Sequence, residues 1–408
     1  MMKTYATGWD FGHKEIDCVM SVKGKTVRLT MPTAFKRVES SAFGASLMGE
    51  GMEIAEEKGK GKVKTKGKMV NSASYVSQQE TDPMMPSAPI EPEKVIIRLH
   101  GEPPSTAYAV GHYALEQTNA PWNGKGDYLR YASSYALKGL LASSALMQAE
   151  REYGLLVVAG VPAEFFTTNK DLPGAIKKRL DGLHVFTLDG ETWYTAHITV
   201  VAVVMEGAGA LLDYRDRELT LHSEAGVIDI GGGTTDLYAQ RGVKPLDDLC
   251  KGKDVAVESA TGLMKTAFLQ KYKRSLTDRE ARDVMRAFGS GKKHAFPLLS
   301  VNGNAVPVEA LQNMVEQAVE VIAEDIVSFV AATWGNAISR FSLVLLVGGG
   351  TYFFYAAIKN RIEHVLVHDD PVFANALGYA TLAARKLAKL SQEAVVVAEK
   401  EKIAELAE

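Results

Sequence analysis

The sequence predicts an α/β fold of two domains facing each other across a cleft, and three turns carry that prediction. Residues 227–239, VIDIGGGTTDLYA, run an apolar strand into an aspartate, three glycines and two threonines before a second aspartate closes the turn. Residues 8–18, GWDFGHKEIDC, give another Asp-x-Gly turn around Asp10 and Gly12. Residues 341–354, FSLVLLVGGGTYFF, add a glycine loop after a further apolar strand. Loops of this kind let backbone N–H groups approach phosphate oxygens with no Cβ in the way, and a neighbouring carboxylate can reach a hydrated Mg²⁺. One such loop alone also fits a plain tight hairpin. Two of them in separate halves, followed by a strand–GGG loop, make a clamp around a nucleotide.

The elements follow in order. YATGWDF, EIDCVMSV and TVRLTMP read as a meander with Gly24 at a hairpin. Between residues 56 and 94 the chain turns to EEKGKGKVKTKGK and then SQQETDPMMPSAPIEPEK, with little to bury, which reads as a mobile basic and Pro-rich insert. It is either a contact surface for DNA, an adaptor or a neighbouring subunit, or a solvated tip. YLRYASSYALKGLLASSALMQAEREYG reads as one long helix stopped by Gly154, and LLVVAGVP as a fully buried strand. Residues 175–204 hold a short helix and two strands, and EGAGALLDY starts a helix. A second domain opens at about residue 215 and runs to 371, with a smaller subdomain at about 243–305. Residues 309 to about 340 place Leu311, Val315, Ala318, Ile322, Ile326 and Phe329 at helical spacing, a core face. A last helix, from about 373 to 390, crosses back so that 372–408 rejoins the first domain, 1–214.

At 408 residues the chain has length for two domains or one bilobal unit. A net charge of −3 gives no global attraction to nucleic acid or anionic membrane. Cys18 and Cys250 are far apart without metal spacing, so a reducing cytoplasm is the expected setting. No signal-peptide pattern opens the sequence, and the longest apolar run, ITVVAVVM, is too short to cross a bilayer.

The ordered set of motifs resembles the actin-like ATPase superfamily, and within it the ParM/StbA plasmid-segregation bacterial actins. MPTAFKRV, YAVGHYALEQ, LLVVAGVPAEFF and DDPVFANALGYATLA are similar to further landmarks of that family, so the likeness covers nearly the whole chain. It implies an actin-like fold, a duplicated ribonuclease H-like α/β architecture with the nucleotide between domains. It implies that Asp10, Gly12, His13 and Lys14 form the first phosphate loop, that Gly231, Gly232, Gly233 and Thr234 form the second, and that Gly348, Gly349 and Gly350 lie against the adenosine. Asp10 and Asp229 would hold Mg²⁺ through its waters. Glu206, with Asp229, would carry the chemistry by orienting the attacking water. ATP, or GTP, and Mg²⁺ are the implied cofactors. The implied partners are further copies in a filament and a DNA-binding adaptor.

One position departs from the family pattern. A lysine is expected seven residues after the first aspartate, and this chain has Asp17 there. Either Lys14 substitutes from a tighter turn, or neutralisation rests on Mg²⁺ and amides while Lys14 is a solvated hairpin charge. His13 stands where the family often has Ser, Thr or Asn and is either a phosphate ligand or a plain turn residue. Arg282 and Arg286 fall in the smaller subdomain and read as surface residues. A metabolite kinase of the same superfamily, or an MreB/FtsA-like scaffold, remains the competing expectation. A chaperone would need a peptide-binding domain after the nucleotide fold, and the Glu-rich tail is a poor membrane anchor.

Overall fold

The computed structural model describes residues 2–38, 94–118, 121–124, 126–214 and 223–407. The expected basic insert therefore lies almost wholly outside the described residues.

The first half builds one sheet from β1 (Lys3–Phe11), β2 (Glu15–Val22), β3 (Lys25–Pro32), β4 (Phe35–Arg37), β5 (Ile96–Leu99), β6 (Tyr108–Val110), β7 (Glu152–Val161), β8 (Gly182–Thr187) and β9 (Trp193–Met205). Its order is β3-β2-β1-β7-β9-β8-β5-β6-β4. Lys23 and Gly24, with φ of 51° and 78°, close the β2–β3 hairpin, a two-residue turn that only left-handed backbone can make with the right twist. The helices of this half are α1 (His112–Gln117), α2 (Ser134–Leu146), α3 (Ala163–Thr168), α4 (Leu172–Leu180) and α5 (Ala208–Asp213).

The second half contains β10 (Glu224–Ile230), β11 (Thr235–Arg241), β12 (Lys244–Pro245), β13 (Lys251–Lys253), β14 (Ser300–Val301), β15 (Asn304–Ala305), β16 (Phe341–Val347) and β17 (Val365–Val367). Its helices are α6 (Val257–Tyr272), α7 (Asp278–Gly289), α8 (Val308–Trp334), α9 (Thr351–Lys359) and α10 (Ala374–Ala407). Its main sheet runs β12-β11-β10-β16-β17. The first five strands of the other sheet, β3-β2-β1-β7-β9, repeat this arrangement. In both, the hairpin pairs are antiparallel and the next two pairs are parallel. The duplication that no sequence period reveals is thus plain in the topology.

The halves are packed together, not merely tethered. α2 lies on one face of the first sheet, where Gly139 leaves room for Ile16 and Phe11. α10 crosses the other face so closely that a Cβ on Gly8 would strike the backbone of Ala376 and Ala380. Met205, Ala210 and Leu211 from the end of β9 and α5 share a core with Val227, Tyr238, Leu345 and Val347 of the second sheet. α6 and α8 cover the opposite face of that sheet. By length and composition α8 could cross a membrane, but its buried side chains, among them Leu311, Val315, Ile322 and Ile326, are part of this core.

Two expectations need correction. Residues 128–154 are not one helix. A 3₁₀ turn over Tyr128–Ala132 gives way at Ser133, whose hydroxyl accepts from the Ala136 amide at 3.2 Å and starts α2 afresh. Gly154 does not stop that helix. It lies inside β7, where a side chain would collide with Thr4. On α8, Val330 takes the buried position expected of Phe329, which is half-buried with Lys253 Nζ 5.8 Å from its ring. The helix stops at Gly335, whose φ of 47° and ψ of −127° is open only to glycine.

Candidate functional site

Both Asp-x-Gly hairpins have the same seven-residue spacing, Asp10-Phe11-Gly12 to Asp17 and Asp229-Ile230-Gly231 to Asp236. In each the two aspartates are direct cross-strand partners, Asp10 with Asp17 and Asp229 with Asp236. Period-two alternation therefore points each pair to one side of its sheet. The first turn is braced by Thr33, whose hydroxyl donates to the Gly12 carbonyl at 2.8 Å and whose amide donates to the Lys14 carbonyl at 2.8 Å. The second is closed by the Gly231 amide donating to Thr234 at 2.9 Å.

The tips of the two hairpins meet. Lys14 Nζ forms an ion pair with Glu258 at the start of α6, and the Glu258 amide donates to the Gly232 carbonyl at 2.8 Å. A Cβ on Gly232 would collide with the Lys14 side chain, and one on Gly233 would touch His13 and Glu258 at 3.5–3.6 Å. Both loops thus border one site, and Lys14 spans them. Glu15, on the same hairpin, feels the Arg286 charge, so α7 also faces this mouth.

Glu206 sits at the end of β9, and its amide donates to the Val161 carbonyl at 2.9 Å. It is 8% exposed. It precedes α5 instead of lying in its first turn, because Gly207 at φ 86° makes the bend, and a Cβ there would run into Tyr238. Of the late glycines, Gly348 and Gly350 pack on the second hairpin: the Gly350 amide donates to Ile230 at 2.7 Å, and side chains at either would collide with Ile230. Gly349 alone among the three faces open space.

Asn375, the second residue of α10, ties these parts together. Its Nδ2 donates to Asp229 Oδ2 at 2.6 Å, and its Oδ1 accepts the Gly207 amide at 2.8 Å. The electrostatics show how crowded the floor is. Burial, then the charge of Asp229, pushes Asp10 up to about 7, against the pull of Arg130 and Asn375. Burial lifts Asp229 to about 6 despite the Asn375 hydrogen bond. Asp236 is raised to about 7 by burial and then by Asp229. Burial followed by neighbouring carboxylates holds Glu206 and Asp17 well above the ordinary range. Carboxylates forced together in this way favour a cation between them. Among the described residues no group of three or more His, Cys, Asp or Glu is placed to hold a metal unaided. Two facing aspartates suit Mg²⁺, which keeps most of its waters and takes one or two carboxylates.

Comparison with known proteins agrees with this geometry. Residues 58–209 match a family model described as the N-terminal domain of actin-like proteins, and residues 227–360 one described as archaeal actin homologue MreB-like, C-terminal. No curated protein sequence matches the chain. Among solved structures, the archaeal actin homologue Ta0583 superposes with a TM-score of 0.65 at 18% identity, over 94% of this chain and 100% of that one. The apo psk41 ParM protein does so with a TM-score of 0.61 at 15% identity, over 95% and 99%. A ParM of a 15-stranded filament from Clostridium botulinum gives 0.63 at 17%, over 94% and 100%.

The chain has an actin-like fold. Its duplicated sheets are the two halves of that fold, and the hairpins, Glu206 and the late glycines lie where the sheets meet. Three residues that build this site went unread in sequence: Thr33, Asn375 and Arg130. The Ala-Asn-Ala-x-Gly segment did stand out, but nothing along the chain says that its asparagine reaches Asp229, 146 residues away.

Proposed function

We propose that this protein of actin-like fold is a filament-forming nucleotidase that binds ATP or GTP with Mg²⁺ between its halves, hydrolyses it and uses the cycle to drive polymer turnover in segregating plasmid or other DNA in the cytoplasm. The observation that carries the reading is the convergence of two identically spaced Asp-x-Gly hairpins on one carboxylate-lined floor bridged by Asn375. Likeness adds support: one neighbouring structure is an archaeal actin homologue in complex with ADP, and another is a ParM filament.

In this reading residues 1–214 with 372–408 form domain I, and 215–371 form domain II with a subdomain at about 243–305. The amides around Gly12, Gly231, Gly232 and Gly233, with the Thr234 hydroxyl, wrap the phosphates. His13 and Lys14 border them from domain I, and Gly348–Gly350 lie along the adenosine. Mg²⁺ supplies charge neutralisation for the phosphates when bound. Asp10 and Asp229 hold its waters in place. Glu206 accepts a hydrogen bond from the attacking water and aims it at the γ-phosphorus. A γ-phosphate touching both hairpins favours the closed arrangement of the halves, and losing it removes that differential contact. Closed halves expose complementary ends for head-to-tail contacts that form an open filament. A DNA-binding adaptor would couple that filament to its cargo, since the net charge gives the chain no strong affinity for nucleic acid.

The test is light scattering and pelleting with Mg²⁺ and a slowly hydrolysed ATP or GTP analogue. A rise in scattering that reverses as hydrolysable nucleotide is consumed is the expected result. No polymer up to tens of micromolar, with phosphate transferred to a small metabolite, would replace this reading by a metabolite kinase.

A further inference from the structure

Among the described residues of the first half, two cations are sealed inside. Lys138, 2% exposed, has its carboxylate partner in Glu102 at 3.0 Å. Arg130, fully buried, has no carboxylate in hydrogen-bond contact among the described residues. Its Nη2 donates to the Phe11 carbonyl at 3.1 Å and to the Tyr131 hydroxyl at 2.6 Å, while Nε and Nη1 have no hydrogen-bond partner. The guanidinium lies 4.5 Å from the Tyr131 ring and 5.7 Å from the Phe11 ring. Phe11 is the middle residue of the Asp10-Phe11-Gly12 turn, so this arginine grips the first loop from beneath.

A buried, incompletely paired guanidinium is costly unless opposite charge lies close by. The charges in range are those of Asp10 and Glu206, both attracted by Arg130. The Tyr131 hydroxyl feels the same two carboxylates. The Tyr379 hydroxyl of α10, also buried without a hydrogen-bond partner, faces them from the other side of the sheet. The arginine is therefore the one fully buried cation among the described residues whose compensation comes from the carboxylate floor and not from a partner of its own.

We propose that Arg130 is a positioning residue for the hydrolysis: a fixed internal countercharge that holds Glu206 and the Asp10 turn in place beneath the phosphates. The catalytic half of this inference rests on the function proposed above; the countercharge half does not. Arginine suits the task because it stays charged at any working pH and its planar fork can brace a carbonyl and a hydroxyl at once.

The experiment is a double-mutant cycle read in two ways. In nucleotide-free protein, R130M removes the charge and lowers Tm by about 5 °C or more, because it strands buried carboxylates. E206Q added to R130M then restores at least half of that loss. A double variant as unstable as R130M would overturn the countercharge and leave Arg130 a packing residue. With Mg²⁺-nucleotide at saturation, R130M lowers kcat about 10²-fold while nucleotide Kd stays within about threefold, R130K recovers most of the rate, and R130M costs nothing further in the E206Q background. Wild-type kcat in R130M would overturn the positioning role. Should R130M not fold, R130Q, which keeps donors without the charge, is expected to show the same loss of rate. Wild-type protein that neither binds nor hydrolyses nucleotide would defeat the functional reading instead, and the melting cycle would still decide the countercharge.

Discussion

The two hairpins share a spacing, a register and a pair of facing aspartates, yet they are filled differently. Between its aspartates the first carries Phe11, His13, Lys14, Glu15 and Ile16 around a single glycine, whereas the second carries Ile230, three glycines and two threonines. The decorated loop reaches out: Lys14 to Glu258, Glu15 towards Arg286, and Phe11 down to Arg130. The bare loop is reached into, with Lys14 and His13 lying over Gly232 and Gly233. One duplicated unit has thus become a bare cradle and a charged clasp. Main-chain donors can crowd an anion only where side chains are absent, and charges can bridge a gap only where they are present.

The sharpest way to break the comparison is to treat the halves as equal where they are alike. D10A and D229A should each weaken Mg²⁺-nucleotide binding by about 10²-fold or more, measured calorimetrically. A large loss in only one would mean that a single half carries the cation. Next in size, E206A should slow single-turnover hydrolysis by about 10²-fold while nucleotide still binds. An unchanged rate would reduce Glu206 to a residue of the turn before α5.

The shared acidity gives a pH test of intermediate size. Asp10 and Asp236 stand at about 7 and Asp229 at about 6, against an ordinary value of 3.8. The folded state therefore keeps protons that the unfolded state has released. The stability contributed by these three groups is fully present below about pH 4 and is lost as pH rises through the interval up to about 7. Nucleotide-free protein should melt lower at pH 8 than at pH 5.5, and Mg²⁺-nucleotide should narrow the gap. A melting temperature independent of pH would show that the carboxylates do not repel one another as the geometry requires. The smallest effect belongs to the clasp. Lys14 and Glu258 are 44% and 33% exposed, and such pairs contribute about 0–1 kcal/mol. K14A should change nucleotide affinity by less than about tenfold. A loss as large as that of D10A would make Lys14 the phosphate-neutralising cation in place of the lysine that Asp17 displaces.

Local signals made much of this legible. Asp-x-Gly turns after apolar strands located both hairpins, and the GGG run located the loop after β16, because glycine there answers a steric demand that is fixed within a few residues. The helix over 128–154 misled because Ser133 ends one turn and starts another inside a continuous apolar pattern, and a capping hydroxyl weighs little against periodicity. Arg130, set in that same stretch, looked like one more helix residue. Asn375 and Thr33 act through contacts spanning 146, 168 and 21 residues, which depend on how the halves pack and not on their neighbours in sequence.

Asn375 holds the cleft floor at the very start of a helix of 34 residues. At 1.5 Å per residue that helix is a rod about 50 Å long, pinned at one end between Gly207 and Asp229. The leverage is mechanical: a tilt of roughly 5° at the pinned end sweeps the free end through about 4 Å. A rearrangement at the floor too small to alter any loop would therefore be legible far from it, along the last helix.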